Sequence, residues 1–216
     1  MARYADDGAF ATHNVDNQPP GLTDYNLFTT DLALREAAAR EGAAWATADL
    51  TAHGAELGSA AMIEAGFLAN QNPPKLQTFD RFGRRRDEVE FHPAWHELMT
   101  LAVKYGVHAA PWADGRAGAH VARAAKVIMT VQIDAGVQCP VTMTYGVVPA
   151  LRRQPDLAAE YLPRLTSTSY DRRFRPIPEK TGMLMGMGMT EKQGGTDLRT
   201  NTTRAEPVAG QPGEFR

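Results

Sequence analysis

The residues best suited to chemistry lie together near one end of the sequence, in Met187-Gly188-Met189-Thr190-Glu191-Lys192-Gln193-Gly194-Gly195-Thr196-Asp197. Two consecutive glycines let a loop turn tightly and present several backbone N–H groups on one side. Such a surface suits an electron-rich ring edge or a diphosphate. Thr190 and Thr196 add hydroxyls, each a donor and an acceptor. A plain Gly-rich β-turn joining two strands has an equal claim on spacing alone.

Other candidates are weaker. His92 and His96 stand four apart, a spacing that could put two metal ligands on one helical face. The His-Glu-x-x-His pattern and a third ligand are missing, so His92 reads as a helix cap and His96 as a structural side chain. Cys139 has no second cysteine to pair with and reads as an inert, small buried residue. Arg84-Arg85-Arg86 sits beside Asp87, Glu88 and Glu90, which makes it a solvated charge cluster on a turn. No Walker loop, Rossmann glycine fingerprint or Gly-x-Ser-x-Gly elbow occurs. No residue is assigned as a metal ligand.

The elements that must position the loop are mostly helices. Residues 1–28, rich in Asn, Asp, Pro and Gly, read as an extended arm that packs on a neighbouring domain or subunit or stays disordered. Asp31 to Arg40 follows an N-cap signal and stops at Gly42. Alanine-rich helices are expected at 43–57 and 59–71, parted near Gly58 and closed by Pro73-Pro74. Residues 76–80 and 87–91 read as a hairpin turning at Gly83. Pro93 opens a helix that ends at Gly106, with His92 as its cap. The clearest helix is 117–135, where Val121, Ala124, Ile128, Val131 and Ala135 share a face that should be buried. Another begins near Pro140 and should break or kink at Pro149, and a short one covers 156–162. Beyond Pro163 the Arg172, Arg173 and Arg175 stretch reads as a linker. Gly182 to Met189 reads as a tightly packed strand, and Leu198 to Glu206 as a second. Gly210 to Gly213 makes a turn, and Glu214-Phe215-Arg216 starts a further strand.

Composition sets the class. The chain has 216 residues, 43% hydrophobic and 22% charged, with a net charge of −2, which is globular and excludes disordered, collagen-like and coiled-coil readings. No apolar run is long enough for a membrane span. The start, Met1 to Asp7, holds two acids and no apolar core, unlike a secretory signal. A single cysteine fits a reducing compartment, so a cytoplasmic protein is expected. Residues 1–110 carry 9 Lys/Arg against 15 Asp/Glu, and residues 111–216 carry 14 against 10. That asymmetry is milder than a phosphate-binding surface calls for. A final strand with no return strand to pair with suggests a fragment of a longer protein.

The segment Met189 to Asp197 resembles the Thr-Glu…Gly-Ser-Asp flavin loop of the acyl-CoA dehydrogenase family. Its Glu-Lys-Gln-Gly-Gly version is similar to the adaptive-response, AidB-like branch. Further blocks run in order through the chain: Thr12-His13-Asn14-Val15, Asn17-Gln18-Pro19, Arg40-Glu41-Gly42, Leu68-Ala69-Asn70, Asn72-Pro73-Pro74, Phe91 to His96, Cys139 to Thr144 and Asn201 to Glu206.

The resemblance implies a mostly α chain: an N-terminal helical domain of an acyl-CoA dehydrogenase-like fold with one β-hairpin, over residues 29–180. The first strands of an incomplete β-barrel middle domain would follow over 181–216. It implies FAD as cofactor, lined by Met187, Gly188, Met189, Thr190, Gly194, Gly195 and Thr196. Thr190 would donate to the pyrimidine edge of the flavin. Gly195 and Thr196 would meet FAD towards its diphosphate, with Thr at 196 where the family usually has Ser. The family takes two hydrogens from an acyl-CoA thioester with a carboxylate base that lies outside this chain, so no catalytic residue is assigned here. The implied partners are an acyl-CoA or an alkylating agent, duplex DNA through a basic region also outside this chain, and three further copies in a homotetramer. The fragment alone is expected to be inactive. Two alternatives remain: a DNA-binding protective protein with little catalysis, or a flavin-free helical scaffold.

Overall fold

The computed structural model describes Thr12 and residues 17–216, so the expectations for the charged start and for the first part of the arm lie outside the described residues. The chain forms two compact units, one reaching to Met185 and one over Gly186–Arg216.

The first unit is built from helices. Asp31 accepts a hydrogen bond from the Leu34 amide and so starts α1 (Leu32–Ala38). Gly42, at φ +90°, supplies the left-handed residue that turns the chain out of it. α2 (Thr47–Leu57) and α3 (Ala60–Gln71) follow, with Ser59 capping α3 through the Met62 amide. The hairpin pairs β1 (Lys75–Phe79) with β2 (Arg85–Glu90), turning at Gly83. His92 caps α4 (Pro93–Lys104) by accepting from the Ala94 amide. A short α5 (Ala110–Ala113), α6 (Ala119–Ile133), α7 (Gln138–Leu151) and α8 (Pro155–Leu165) complete the unit. α2 packs on α6 and α3 on α4. One core joins Leu27, Leu50, Leu57, Leu101 and Met129, and a second joins Leu98, Met99, Val107, Val137 and Val141. No helix among the described residues is long and apolar enough to cross a membrane.

Four local expectations change. The end of the arm lies on its own chain: Leu27 and Phe28 are buried, and the Tyr25 and Leu27 amides donate to the Gly58 and Gly54 carbonyls of α2. A Cβ at Gly58 would stand 1.6 Å from the Tyr25 carbonyl oxygen, so this approach needs glycine. Pro149 does not break α7. The carbonyl that its missing N–H leaves without a helical donor, that of Tyr145, accepts instead from the Trp112 indole at 2.9 Å. Cys139 is exposed rather than buried.

The face of α6 is the fourth. Ile128 and Val131 are 46% and 44% exposed, while Ala122, Ala125, Met129 and Thr130 point inward. Lys126 is buried with them. Its ammonium reaches Asp49 at 2.5 Å and the Tyr105 carbonyl at 2.8 Å. Beside it the His53 ring stacks on Tyr105 at 4.4 Å with neither nitrogen hydrogen-bonded. Burial first, then the Lys126 charge, lowers the His53 pKa to about 4, so it stays neutral. The Tyr105 hydroxyl donates to Glu56, which also takes the Lys104 ammonium at 2.7 Å.

The second unit is held by turns. Gly182 to Met189 forms no ladder, and of the strand expected over Leu198 to Glu206 the start is a 3-10 turn at Leu198–Thr200 and only Glu206 pairs with another segment. A small antiparallel contact brings 206–208 against 214–216, with Gly210 and Gly213 at positive φ in the turn between.

Candidate functional site

The approach to the glycine-rich loop is fixed on the helical unit. The Met183 amide donates to the Arg164 carbonyl at 3.2 Å, and the Met185 amide donates to the Thr144 hydroxyl at 2.9 Å. Thr144 spends its own proton on the Pro140 carbonyl one turn back, which leaves a lone pair for Met185. Gly182 passes so close to Ser169 that a Cβ would stand 2.1 Å from its carbonyl oxygen. Asp171 takes the Thr181 amide and the Arg173 guanidinium, and the bonds from Arg173 hold its carboxyl far below the usual range. Arg173 is therefore part of a clamp, not of a free basic patch.

Within the second unit the loop is open. Met187 and Met189 are 56% and 50% exposed, which removes the tightly packed strand expected there. Gly186, Gly188 and Gly195 have no atom within 4 Å of where a Cβ would stand, so their backbone is open to approach. Gly194 donates to the Glu191 carbonyl and closes a turn, and it is the one glycine of the loop packed against backbone. The amides of Met187, Gly188, Met189, Thr190, Gly195 and Thr196, and the hydroxyls of Thr190 and Thr196, make no hydrogen bond within the described protein. A run of uncommitted donors on glycine-bearing backbone can chelate carbonyl and phosphate oxygens.

Glu191 holds this shape. Its carboxylate accepts from the Thr202 amide at 2.8 Å, the Thr203 amide at 2.5 Å, the Thr203 hydroxyl and the Gln193 side chain. The Thr203 hydroxyl and amide, with the other donors, lower its pKa to about 2. Asn201 adds a bond to the Met189 carbonyl at 3.0 Å. Asp197 caps the following turn by accepting from the Arg199 amide. Sequence reading passed over Glu191 and Asn201 as organisers. The signal lay in the polar run Asn201-Thr202-Thr203, which offers several donors to one acid.

The remaining candidates resolve into structure. The His96 ring meets the Tyr170 hydroxyl at 2.9 Å, beside Phe91 stacked on Trp95. Arg85 pairs with Asp87 and Arg86 with Glu88. No cluster of His, Cys, Asp or Glu among the described residues can hold a metal ion.

Comparison with known proteins gives consistent relatives. Residues 17–172 match the family described as the adaptive response protein AidB N-terminal domain. Over 207 residues the chain is 47% identical to AidB of Escherichia coli (strain K12), covering 95% of this chain and 38% of that protein. Among solved structures, Bd2924 in its apo form aligns with a TM-score of 0.74 and 29% identity over 90% of this chain and 38% of its own. Caenorhabditis elegans ACDH-11, solved with C11-CoA, shares the fold at a TM-score of 0.72 and 24% identity, over 93% of this chain and 34% of its own. The chain thus spans well under half the length of these relatives.

Proposed function

The chain belongs to the AidB N-terminal domain family of acyl-CoA dehydrogenase homologues, and from that membership we propose that it forms the helical domain and one wall of a flavin site. Residues 29–180 would be the helical domain, and 181–216 the opening strands of a β-barrel middle domain. The observation that carries this reading is the open loop Met187–Thr196, where free amides and two unpartnered hydroxyls lie on glycine-rich backbone. Those donors fit the oxygens and nitrogens of FAD. Thr190 would hold the pyrimidine edge of the flavin, where a donor stabilises negative charge. Met187, Gly188 and Met189 would lie along the ring. Gly194, Gly195 and Thr196 would lead towards the diphosphate, and the methyl of Thr196 narrows that end relative to a serine. When bound, the flavin supplies a two-electron acceptor for hydride from an acyl-CoA.

Glu191 is excluded as the base that such a reaction requires. Its carboxylate is committed to Thr202 and Thr203, and a pKa near 2 makes it a poor proton acceptor at neutral pH. The base, the far wall of the site and a contact to duplex DNA are assigned to regions outside this chain, whose net charge of −2 agrees with its not being the DNA-binding part. A complete protein of this kind would act on a short or branched acyl-CoA or on an alkylating agent in the cytoplasm, as a homotetramer.

The test is a titration of FAD into the isotope-labelled chain, followed by NMR. The expected result is weak binding, lost on gel filtration, with the amides of Thr190, Gly195 and Thr196 shifting most. Shifts confined to the helical residues, or none at saturating FAD, would overturn the assignment.

A further inference from the structure

The C-terminal end of α6 lacks the groups that normally finish a helix. The Asp134 amide donates to the Thr130 carbonyl, but the carbonyls of Val131, Gln132 and Ile133 accept no hydrogen bond within the described protein. A glycine-based turn or a basic side chain in the last turn usually serves such carbonyls. α6 has neither: no basic residue lies in its last turn, and Asp134 leaves it in an extended conformation. An acid at this position stands at the negative end of the helix dipole, where a cation is the favoured group. The Asp134 carboxylate accepts the Val137 amide at 2.9 Å and pairs with no basic side chain among the described residues.

A cleft of about 250 Å³ lies against this end, and the five consecutive residues 131–135 all line it. A groove along one face of a helix takes only about one residue in three or four, so this cleft sits over the helix end, where the unpaired carbonyls point. Across it stands α3, with Ile63, Gly66 and Phe67. Gly66 permits the close approach: a Cβ there would stand 2.3 Å from the Ile133 carbonyl oxygen. Phe67 is 60% exposed, so an apolar wall is open to solvent beside a floor of acceptors. Asp134 is the one charged residue of the lining.

These features select the occupant. A carboxylate or phosphate would meet Asp134 and the negative helix end. A neutral hydrocarbon would cover the carbonyls without bonding them, at a desolvation cost. A bare metal ion would leave the apolar wall unused. An ammonium group brings positive charge and several donors, and a hydrocarbon stem behind it matches Ile63, Phe67 and Val131. We propose that this cleft binds an aliphatic primary amine, with its ammonium on Asp134 and the last carbonyls of α6 and its stem along Phe67 and Val131. The site belongs to the helical unit alone and does not depend on the flavin reading.

The test is an NMR titration of the isotope-labelled 216-residue chain with hexylammonium chloride. The amides of 131–136 and of Phe67 should shift most, with a dissociation constant in the millimolar range. Methylammonium, which lacks the stem, should bind at least about fivefold more weakly. Sodium hexanoate and potassium chloride at the same concentrations should leave those amides in place. Asp134→Asn keeps an oxygen for the Val137 amide and removes the charge, so hexylammonium should bind about fivefold more weakly. Phe67→Ala changes an exposed side chain and should remove most of the advantage of hexylammonium over methylammonium. Far-UV circular dichroism, unchanged in both variants, separates a lost site from a lost fold. The proposal is overturned if hexylammonium leaves 131–136 unmoved, if hexanoate or potassium reproduces its shifts, if methylammonium binds equally well, or if Asp134→Asn binds as the wild type does.

Discussion

The helical unit and the Gly186–Arg216 unit keep their shapes by different means. The first buries leucine, valine and methionine between helices, so its stability is spread over many contacts of similar worth. The second buries almost no apolar side chain and takes its conformation from a few polar clamps, with Glu191 gathering Thr202 and Thr203. The difference shows what kind of order each part needs. A scaffold must resist deformation, whereas a loop that faces a flavin, as we propose for this one, must keep its donors uncommitted, and apolar burial would have consumed that surface.

The largest expected effect tests the scaffold. Leu50, fully buried between α2 and the first core, loses most of its contacts in Leu50→Ala. Unfolding free energy should fall by about 3 kcal/mol, within the usual cost of a large-to-small change in a packed core. Denaturant titration followed at the helical circular-dichroism signal measures it. Amide shifts in residues 186–216 should stay in place below the new midpoint, and movement there would mean that the conformation of this unit depends on the first core.

Acid should also act on the scaffold first. His53 and His108 are buried, and burial, the largest cause at both, lowers each pKa from 6.5 to about 4. The unfolded chain takes up a proton at each site below about pH 6.5, while the folded chain does not until about pH 4. Stability therefore falls as the pH drops through that window. Between pH 6.5 and 5 the loss is about 2 kcal/mol for each histidine, from the 1.36 kcal/mol that one pKa unit represents. His53→Leu should remove about half of the slope. Thermal melts at stepped pH read it directly, and a flat profile would mean that the two rings titrate in the fold as they do in the unfolded chain.

What the sequence disclosed follows the same division. Caps and stops are local chemistry, so the helix start around Thr29-Thr30-Asp31, the stop at Gly42, the His92 cap and the Gly83 turn were legible, and with them the mostly helical class and the hairpin. Features that depend on distant partners were not. The buried face of α6 contains Lys126, which looks like a solvent residue until Asp49 and the Tyr105 carbonyl meet its ammonium. The rival stripe through Ile128 and Val131 is more apolar and yet faces outward. Pro149 reads as a breaker because the indole that satisfies the Tyr145 carbonyl stands far away in sequence at Trp112. Strands fail for a related reason: Gly182 to Met189 has the composition of a strand, but a ladder needs a second segment. The loop at 187–196 was singled out by motif as a proposed flavin contact, whereas the clamp that shapes it left no such mark. One acid binding amides about ten residues downstream leaves no periodic trace.

That clamp gives the smallest effect on stability and the sharpest test of the contrast. In Glu191→Gln the side-chain oxygen can still accept a bond, but the charge and the second acceptor are lost, so the Thr202 and Thr203 donors cannot all be satisfied. Hydrogen exchange at the Thr202 and Thr203 amides should accelerate, and the amide shifts of Thr190 and Gly195 should move towards random-coil values. The thermal midpoint of the helical signal should not change, because no buried contact of the first unit involves Glu191. Protonation of the wild type should reproduce the loss: the clamp holds above the ordinary carboxyl pKa of 4.5 and opens as the pH falls through about 2. The loop should thus keep its clamp through the acid range in which the histidines are already weakening the helices. If exchange at Thr202 and Thr203 is instead unchanged by the substitution, the loop is held by its backbone turns alone and the polar-clamp half of the comparison fails.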